Sequence, residues 1–250
     1  MAARVEVGPW ALDGAGLVAY MDAQTWARET KRGRRNTFAE FYRWGVAMGL
    51  TTTDPTAVVV RIAPSDPDPQ PVPDRVYLEA LIRADATEAL WIDLAAEHGL
   101  RRAEVAVIRG RDVVETLLGY DLRVHGKGGK IRYVPLTRAM AEALLGLIEV
   151  HGMRYLFPGD DDGHVSPQWV GKRVARLLGG IWTMHKLRHR AATRFWVQAE
   201  GDPYVIADLM GWANLNMVRV YVRQPDDRKR RIVEAASRTG PRLAAGRGLS

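Results

Sequence analysis

The segment "HKLRHRAATRF", residues 185–195, combines two histidines, three arginines and one lysine in a short amphipathic run. Its apolar side chains recur at steps of three and four residues, which predicts the buried stripe of an α-helix: Leu187, Ala191, Ala192 and Phe195. Thr183 is the expected N-cap of this helix and Gly201 the expected stop. Once the stripe is buried, His185 and Arg188 share an adjoining face, because residues three apart are neighbours on a helix.

The composition is that of a globular protein and excludes several classes of site. The chain has 250 residues, 47% of them hydrophobic and 26% charged, which suits one large domain or two smaller ones. It has neither an apolar run of membrane-spanning length nor the apolar leader of a signal peptide, so we expect no membrane segment. The absence of cysteine excludes disulfides and thiolate chemistry and fits a reducing cytoplasm.

The charge distribution favours a polyanionic partner. The net charge is +7 and the pI is about 9.8. The basic residues concentrate in two clusters, one of Arg28, Lys31, Arg32, Arg34 and Arg35 and the other of Arg223, Arg228, Lys229, Arg230 and Arg231. Each cluster can be either a solvated helix face or a contact surface for nucleic acid. A nucleic-acid interpretation therefore needs a phosphate-directed site elsewhere in the chain.

A proline-rich stretch divides the chain. Residues 62–74 contain five prolines and little that can be buried, which is typical of a semi-extended linker. We place the linker at 64–74, a helical domain at 1–63 and a second domain at 75–250.

The first domain is expected to contain two helices. Thr37 and Glu40 have capping-box spacing, which predicts a helix that begins there and runs to Gly49. A second helix is expected over 17–26. The basic cluster of residues 28–35 would then lie between the two helices.

The second domain is predicted to be mostly helical with one β-hairpin. Helices are expected over 75–84, 86–98, 102–109, 137–150, 167–178, 184–199, 203–210 and 215–222. The hairpin has Tyr120, Leu122 and Val124 alternating on one arm, Ile131 and Tyr133 on the other, and the turn GKGG at 126–129. The predicted fold class is therefore mainly α with a small β-hairpin or sheet, in two domains.

Four stretches carry residues suited to phosphate chemistry. They are "HGLRRAEV" at 98–105, "VHGKGGKIRYVPL" at 124–136, the histidine–arginine run that begins at 185, and "LMGWANLNMVRVYVR" at 209–223. Arginine beside a fixing carboxylate presents a rigid two-pronged donor, and lysine on a glycine turn presents a mobile one. Each stretch alone also fits an ordinary structural role.

Taken in this order, the four stretches resemble the tyrosine recombinase, or phage integrase, family. The positions that match the family's motifs are Arg101 and Glu104 of "GLRRAE", Lys127 of "GKG", His185 and Arg188 of "HKLRH", and Trp212 and Tyr221, which are nine residues apart. Arg102 stands where the family more often has a hydrophobic residue, which leaves open whether Arg101 or Arg102 faces the phosphate. Position 212 is Trp where His is more frequent.

The resemblance implies a strand-transfer reaction that needs no metal, ATP or other cofactor. Tyr221 would be the nucleophile, Arg101 and Arg188 would bind the phosphate oxygens, His185 would act as base, Lys127 would protonate the leaving 5′ oxygen, Trp212 would donate a hydrogen bond, and Glu104 would support Arg101. The acidic run at 160–162 is expected to be a solvated loop rather than a magnesium site.

The resemblance also implies partners and an architecture. We expect double-stranded core or attachment sites of DNA, a homo-tetramer that acts through a Holliday junction, and a C-shaped clamp of core-binding and catalytic domains in the bacterial host cytoplasm, at the nucleoid. The basic cluster at 28–35 is the candidate for phosphate contacts. We expect a compact integrase without an arm-binding domain. It would integrate a viral genome with the help of an accessory directionality factor. A type IB topoisomerase and a catalytically silent DNA-binding protein are the alternatives.

Overall fold

A computed structural model describes residues 8–65, 70–215, 218 and 233–236, and of Lys127 the backbone alone. The chain divides into two compact units, Met1–Pro67 and Asp68–Ser250. Within the described ranges, none of the helices is both long and apolar enough to cross a membrane. The predicted fold class, mainly helical with a small sheet, is confirmed.

The first unit is built around two α-helices. Helix α1 spans Gly14–Asp22 and helix α2 spans Arg28–Ala47, with short 3₁₀ turns at Pro9–Ala11 and Pro55–Val58. Asp13 caps α1 by accepting a hydrogen bond from the Gly16 amide at 2.7 Å. The buried side chains of this unit's small apolar core are Leu17, Met21 and Val59.

Helix α2 corrects the prediction for the basic cluster. The helix begins at Arg28, so the cluster lies on its first turns and not between two helices. Thr37 is inside the helix, where its hydroxyl donates to the Gly33 carbonyl at 3.1 Å and caps nothing. The early start is favoured by Glu29, which sits near the positive end of the helix and pairs with Arg32 at 2.8 Å.

Seven α-helices of the second unit have both ends within the described residues. They are α3 (Asp74–Arg83), α4 (Ala86–Ala96), α5 (Arg102–Ala106), α6 (Arg138–His151), α7 (Pro167–Leu177), α8 (Met184–Gln198) and α9 (Pro203–Met210). All seven were predicted, although α5 is three residues shorter than expected because a 3₁₀ turn and a strand follow it. The helix predicted over 215–222 lies mostly outside the described residues, and residues 233–236 are helical.

The sheet has one strand more than the predicted hairpin. Strands β1 (Val113–Thr116), β2 (Gly119–His125) and β3 (Ile131–Pro135) pair antiparallel in that order. Leu122 lies opposite Val134 and Val124 opposite Arg132, and these four side chains face inward. Ile131 and Tyr133, which the prediction made the alternating pair of this arm, are exposed. A further short strand, β4, spans Pro158–Asp161.

Two apolar clusters support the second unit. The larger one gathers residues of α4, the sheet, α6, α7 and the start of α8 around Ile92, Leu94 and Leu187. The smaller one joins the later part of α8 to α9 through Ala192, Ile206, Met210 and Trp212. Helix α8 contributes side chains to both clusters. Packing at both ends of the helix therefore fixes its orientation, and with it the position of its polar side chains.

Candidate active site

Arg101 is held at a helix start by Glu104. Helix α5 begins at Arg102, and the chain enters it through Gly99, whose φ of +71° belongs to the left-handed region that favours glycine. A Cβ at Gly99 would lie 2.8 Å from the sulfur of Met210, so α9 approaches this turn closely. Glu104 accepts hydrogen bonds from the Arg101 amide at 2.8 Å and from its Nη1 at 2.6 Å. The guanidinium of Arg101 is therefore held through one terminal nitrogen, and its side chain stays 37% exposed.

Glu104 is the buried acid of an arginine cluster. It is only 4% exposed, and besides Arg101 it accepts two hydrogen bonds from Arg132, both at 2.9 Å. Burial alone would raise the pKa of Glu104. The hydrogen bonds and charge of Arg132, the Arg101 amide and the charge of Arg188 outweigh this effect and lower the pKa. Glu104 is therefore ionised at neutral pH.

Arg188 is enclosed by the protein. It is 1% exposed, and its Nη1 and Nη2 donate to the carbonyl oxygens of Gly99 and Met210. Its Nη1 is also 3.9 Å from a Glu104 oxygen. Arg188 thus ties helix α8 to the start of α5 and to the end of α9.

His185 lies one turn before Arg188 and lines a cavity of about 480 Å³. Arg101, Arg102 and Arg188 line the same cavity. The pKa of His185 is lowered by partial burial first and then by the charges of Arg188 and Arg101, so its imidazole is neutral at neutral pH. A neutral imidazole can accept a proton, which is what a general base must do.

A second cavity, of about 670 Å³, is also lined by Arg101. Its lining includes Arg101, Lys130, Arg132 and Trp212. Trp212 is 9% exposed and packs in the smaller apolar cluster directly after the end of α9. Arg101 is the side chain that the two cavities share.

The structure therefore gathers five of the residues suggested by the sequence. Arg101, Glu104, His185, Arg188 and Trp212 all border the two cavities or support the arginines that do. The backbone of Lys127 lies in the turn Lys127–Gly129, whose neighbours Gly126, Gly128 and Lys130 line the larger cavity. Tyr221 lies outside the described residues. Arg101 and Arg102 both line the smaller cavity, but Glu104 fixes only Arg101.

The basic cluster of α2 divides into exposed and engaged residues. Arg34 is exposed, and Arg28 is exposed although it donates to the Ala63 carbonyl at 3.4 Å. Arg35 is half-buried and donates to the carbonyls of Thr56 and Val59. Lys31 pairs with Asp22 at 2.7 Å. The candidate DNA contacts thus include residues that also stabilise the first unit.

Sequence reasoning missed Arg132. The signal was available in the alternation of β3, since a residue two positions before the inward-facing Val134 must face inward as well. An arginine at such a position requires a buried acid, and Glu104 provides it.

The acidic run at 160–162 is exposed. Asp160 and Asp161 belong to β4, not to a loop, and Asp162 follows with a φ of +53°. In the part of the chain that the structure describes, no three histidine, aspartate or glutamate side chains are grouped as a metal site would require.

Arginines fixed by a buried carboxylate on a helical fold are suited to binding a phosphate ester. The profile of the phage integrase family matches residues 73–228, which is more than half of the chain, and the chain belongs to this family. It is a tyrosine recombinase, an enzyme of site-specific recombination.

Two curated relatives illustrate the similarity. Tyrosine recombinase XerD of Brucella suis is 26% identical in an alignment that covers 85% of this chain and 77% of the relative. Tyrosine recombinase XerC of Neisseria meningitidis is 27% identical over 234 residues, which cover 86% and 73%.

Solved structures share the fold. XerH site-specific recombinase bound to palindromic difH substrate superposes with a TM-score of 0.69 at 20% identity, covering 90% of this chain and 70% of that one. A lambda integrase tetramer bound to a Holliday junction superposes with a TM-score of 0.66 at 20% identity, covering 86% and 67%.

Proposed function

We propose that this enzyme cuts and rejoins DNA through a covalent 3′-phosphotyrosine at Tyr221, without metal or ATP. The phenol oxygen of Tyr221 attacks the scissile phosphorus, and the bond from phosphorus to the 5′ oxygen breaks. His185 accepts the phenol proton and Lys127 donates a proton to the departing 5′ oxygen. A 5′ hydroxyl from the partner strand then reverses these steps, so the energy of the phosphodiester is retained.

Arg101 and Arg188 are assigned to the two non-bridging oxygens of the phosphate. Charge that develops on these oxygens is best stabilised by donors that need no reorganisation, and guanidinium groups stay charged at every working pH. Glu104 is assigned to hold Arg101 in place. Trp212 can donate through its indole N–H, and it also packs the end of α9.

The observation that carries the proposal is that Arg101 lines both cavities. Arg188 and His185 line one of these cavities with it, and Trp212 and the hairpin turn line the other. A phosphate bound at Arg101 would therefore border the cavity that His185 lines and the cavity that the hairpin turn lines. The buried Glu104 fixes that guanidinium before DNA arrives.

The assembly is part of the proposal. The lambda integrase neighbour is a tetramer on a Holliday junction, and we assign the same arrangement to four copies of this chain on two core sites. The helical unit up to residue 63, joined by the linker at 64–74 to the catalytic domain at 75–250, would contact DNA through Arg28, Lys31, Arg32, Arg34 and Arg35. Integration of a viral genome with an accessory directionality factor is the biological role that we propose.

A nicked suicide duplex tests the chemistry. The duplex carries a core site recovered by binding selection and releases a short 5′ fragment on cleavage, so the adduct accumulates. Wild-type protein should form a protease-sensitive adduct in EDTA, and Tyr221→Phe should bind the duplex equally well without forming it. Undiminished adduct with Tyr221→Phe would refute the nucleophile. Relaxation of a plasmid that lacks the site would favour the topoisomerase alternative.

A further inference from the structure

Arg132 joins three segments that carry the proposed catalytic groups. It lies on β3, five residues after Lys127, and it is 8% exposed. Its Nη1 and Nη2 each donate to one oxygen of Glu104 at 2.9 Å, while its Nε donates to the Leu209 carbonyl at 3.0 Å. One guanidinium thus connects the hairpin, the start of α5 and the end of α9.

The two hydrogen bonds from Arg132 to the two oxygens of Glu104 fix the orientation of the carboxylate plane. Arg101 bonds one carboxylate oxygen through its side chain and the other through its amide. A paired guanidinium and carboxylate lock each other's orientation, which a single bond cannot do. The direction in which Glu104 holds Arg101 therefore depends on Arg132.

The end of α9 is shaped to receive Arg132. Gly211 ends the helix with a φ of +60°, and a Cβ there would lie 3.0 Å from Cδ and 3.1 Å from Nη1 of Arg132. The guanidinium therefore lies directly against this backbone. Trp212 follows Gly211, and its position in the larger cavity depends on where this turn is held.

We propose that Arg132 is a positioning residue for strand cleavage, which aligns Arg101 through Glu104 and holds the turn before Trp212. It acts through these neighbours and does not touch the reacting atoms. The inference rests on the proposed function, since it assumes the roles that were proposed there for Arg101 and Trp212.

The test compares single-turnover adduct formation on the suicide duplex with the Kd for the same DNA. Arg132→Met should slow adduct formation on the order of 10²-fold at saturating protein, because a displacement of about 1 Å can cost that much. The Kd should change less than about threefold. Arg132→Lys keeps the charge but lacks the paired donors. It should recover only part of the rate.

A double-mutant cycle with Glu104→Gln identifies the route of the effect. If Arg132 acts on Arg101 through Glu104, the loss of rate in the double variant should be smaller than the product of the two single losses, whereas independent effects would multiply. The pH profile adds a second readout. Without Arg132, the raising effect of burial on the pKa of Glu104 would be opposed only by the hydrogen bond from the Arg101 amide and the charge of Arg188, among the causes that lower it now. The cleavage rate of Arg132→Met should therefore fall at acidic pH, where Glu104 becomes protonated. The double variant has no carboxylate at position 104, so its rate should not show this fall.

Arg123→Met is the matched control. Arg123 lies on the neighbouring strand and donates to the buried Asp112 at 3.0 and 3.1 Å, so its removal also breaks a pair with a buried acid. It should lower the melting temperature and leave the cleavage rate per folded molecule unchanged. An equal loss of rate in Arg123→Met would reduce Arg132 to a structural residue.

The two proposals fail in different ways. If wild-type protein forms no adduct, the proposed function fails. If wild-type protein forms the adduct and Arg132→Met forms it as fast, the role of Arg132 is refuted and the function stands. If Arg132→Met does not fold, the cleavage rate of Arg132→Lys decides whether Arg132 is a positioning residue. Wild-type rate in Arg132→Lys, or effects that multiply with Glu104→Gln, would overturn the inference.

Discussion

The molecule uses arginine in two different ways. The second unit buries Arg132 and Arg188 around Glu104, where carboxylate and carbonyl oxygens fix each guanidinium. Helix α2 instead exposes Arg28 and Arg34 on its surface. A buried, fixed cation can stabilise charge that develops in a reaction, whereas a surface cation contributes mainly salt-dependent affinity. The comparison predicts that changes in the first group alter rates and that changes in the second alter binding.

The largest effect is expected from Arg188→Met. Loss of one preorganised donor to a transition-state oxygen typically costs about 10²–10³-fold in rate. Adduct formation should therefore fall by about that factor at saturating protein, as measured by single-turnover cleavage. Arg188→Lys is the control for charge, and melting temperatures report the lost bonds to Gly99 and Met210. A Kd effect with an unchanged rate would contradict the distinction between the two groups.

His185→Gln should change the pH dependence of cleavage. The base form is the neutral imidazole, and burial with the charges of Arg188 and Arg101 lowers its pKa. The wild-type rate should stay level below pH 6.5 and fall only as the pH drops through the lowered pKa. His185→Gln should be slower by about 10²-fold and lack this fall. A wild-type rate that rises as the pH drops would mean that His185 acts as an acid.

The pH dependence of stability should come partly from His189. Burial first, and then the neighbouring charges of His185, Lys186 and Arg188, lower the pKa of His189 to about 4. Between pH 6.5 and 4 the unfolded chain binds a proton that the folded chain does not, so stability falls as the pH falls.

Melting temperatures at pH 7 and pH 5 measure this loss. His189→Phe should narrow the gap between the two temperatures, and the buried His98, whose pKa is also lowered, should account for part of what remains. An unchanged gap in His189→Phe would exclude the contribution of His189.

The smallest effect is expected on the surface of α2. Arg34 is exposed beside Trp26, and Arg34→Gln should remove one phosphate contact. The slope of log Kd against log salt should then fall by about 0.9 with little change in cleavage rate. Arg35→Gln is the matched variant. It should mainly lower the melting temperature, because Arg35 bonds the Thr56 and Val59 carbonyls. The same change of slope in both variants would contradict the claim that Arg34 contacts DNA and that Arg35 mainly stabilises the first unit.

The helices were predictable from the sequence because their signals are local. The stripe of α8 is confirmed, with Leu187, Ala191 and Ala192 fully buried. Thr37 misled because the same hydroxyl can cap a helix or bond back to its own preceding turn.

The candidate site was only partly predictable. Arg132 escaped prediction because its role depends on the register of β3 against β2 and on contact with Glu104, 28 residues earlier in the chain. The enclosure of Arg188 by two carbonyls depends on α9 packing against the Gly99 turn, which no local pattern encodes.

The central claim is that a single phenol becomes joined to DNA beside the fixed arginines. Digestion of the trapped adduct followed by mass spectrometry of the DNA-linked peptide tests it most directly. The peptide should carry the 3′ phosphate of the cleaved strand on Tyr221. A linkage at any other residue, or to a 5′ phosphate, would contradict the account.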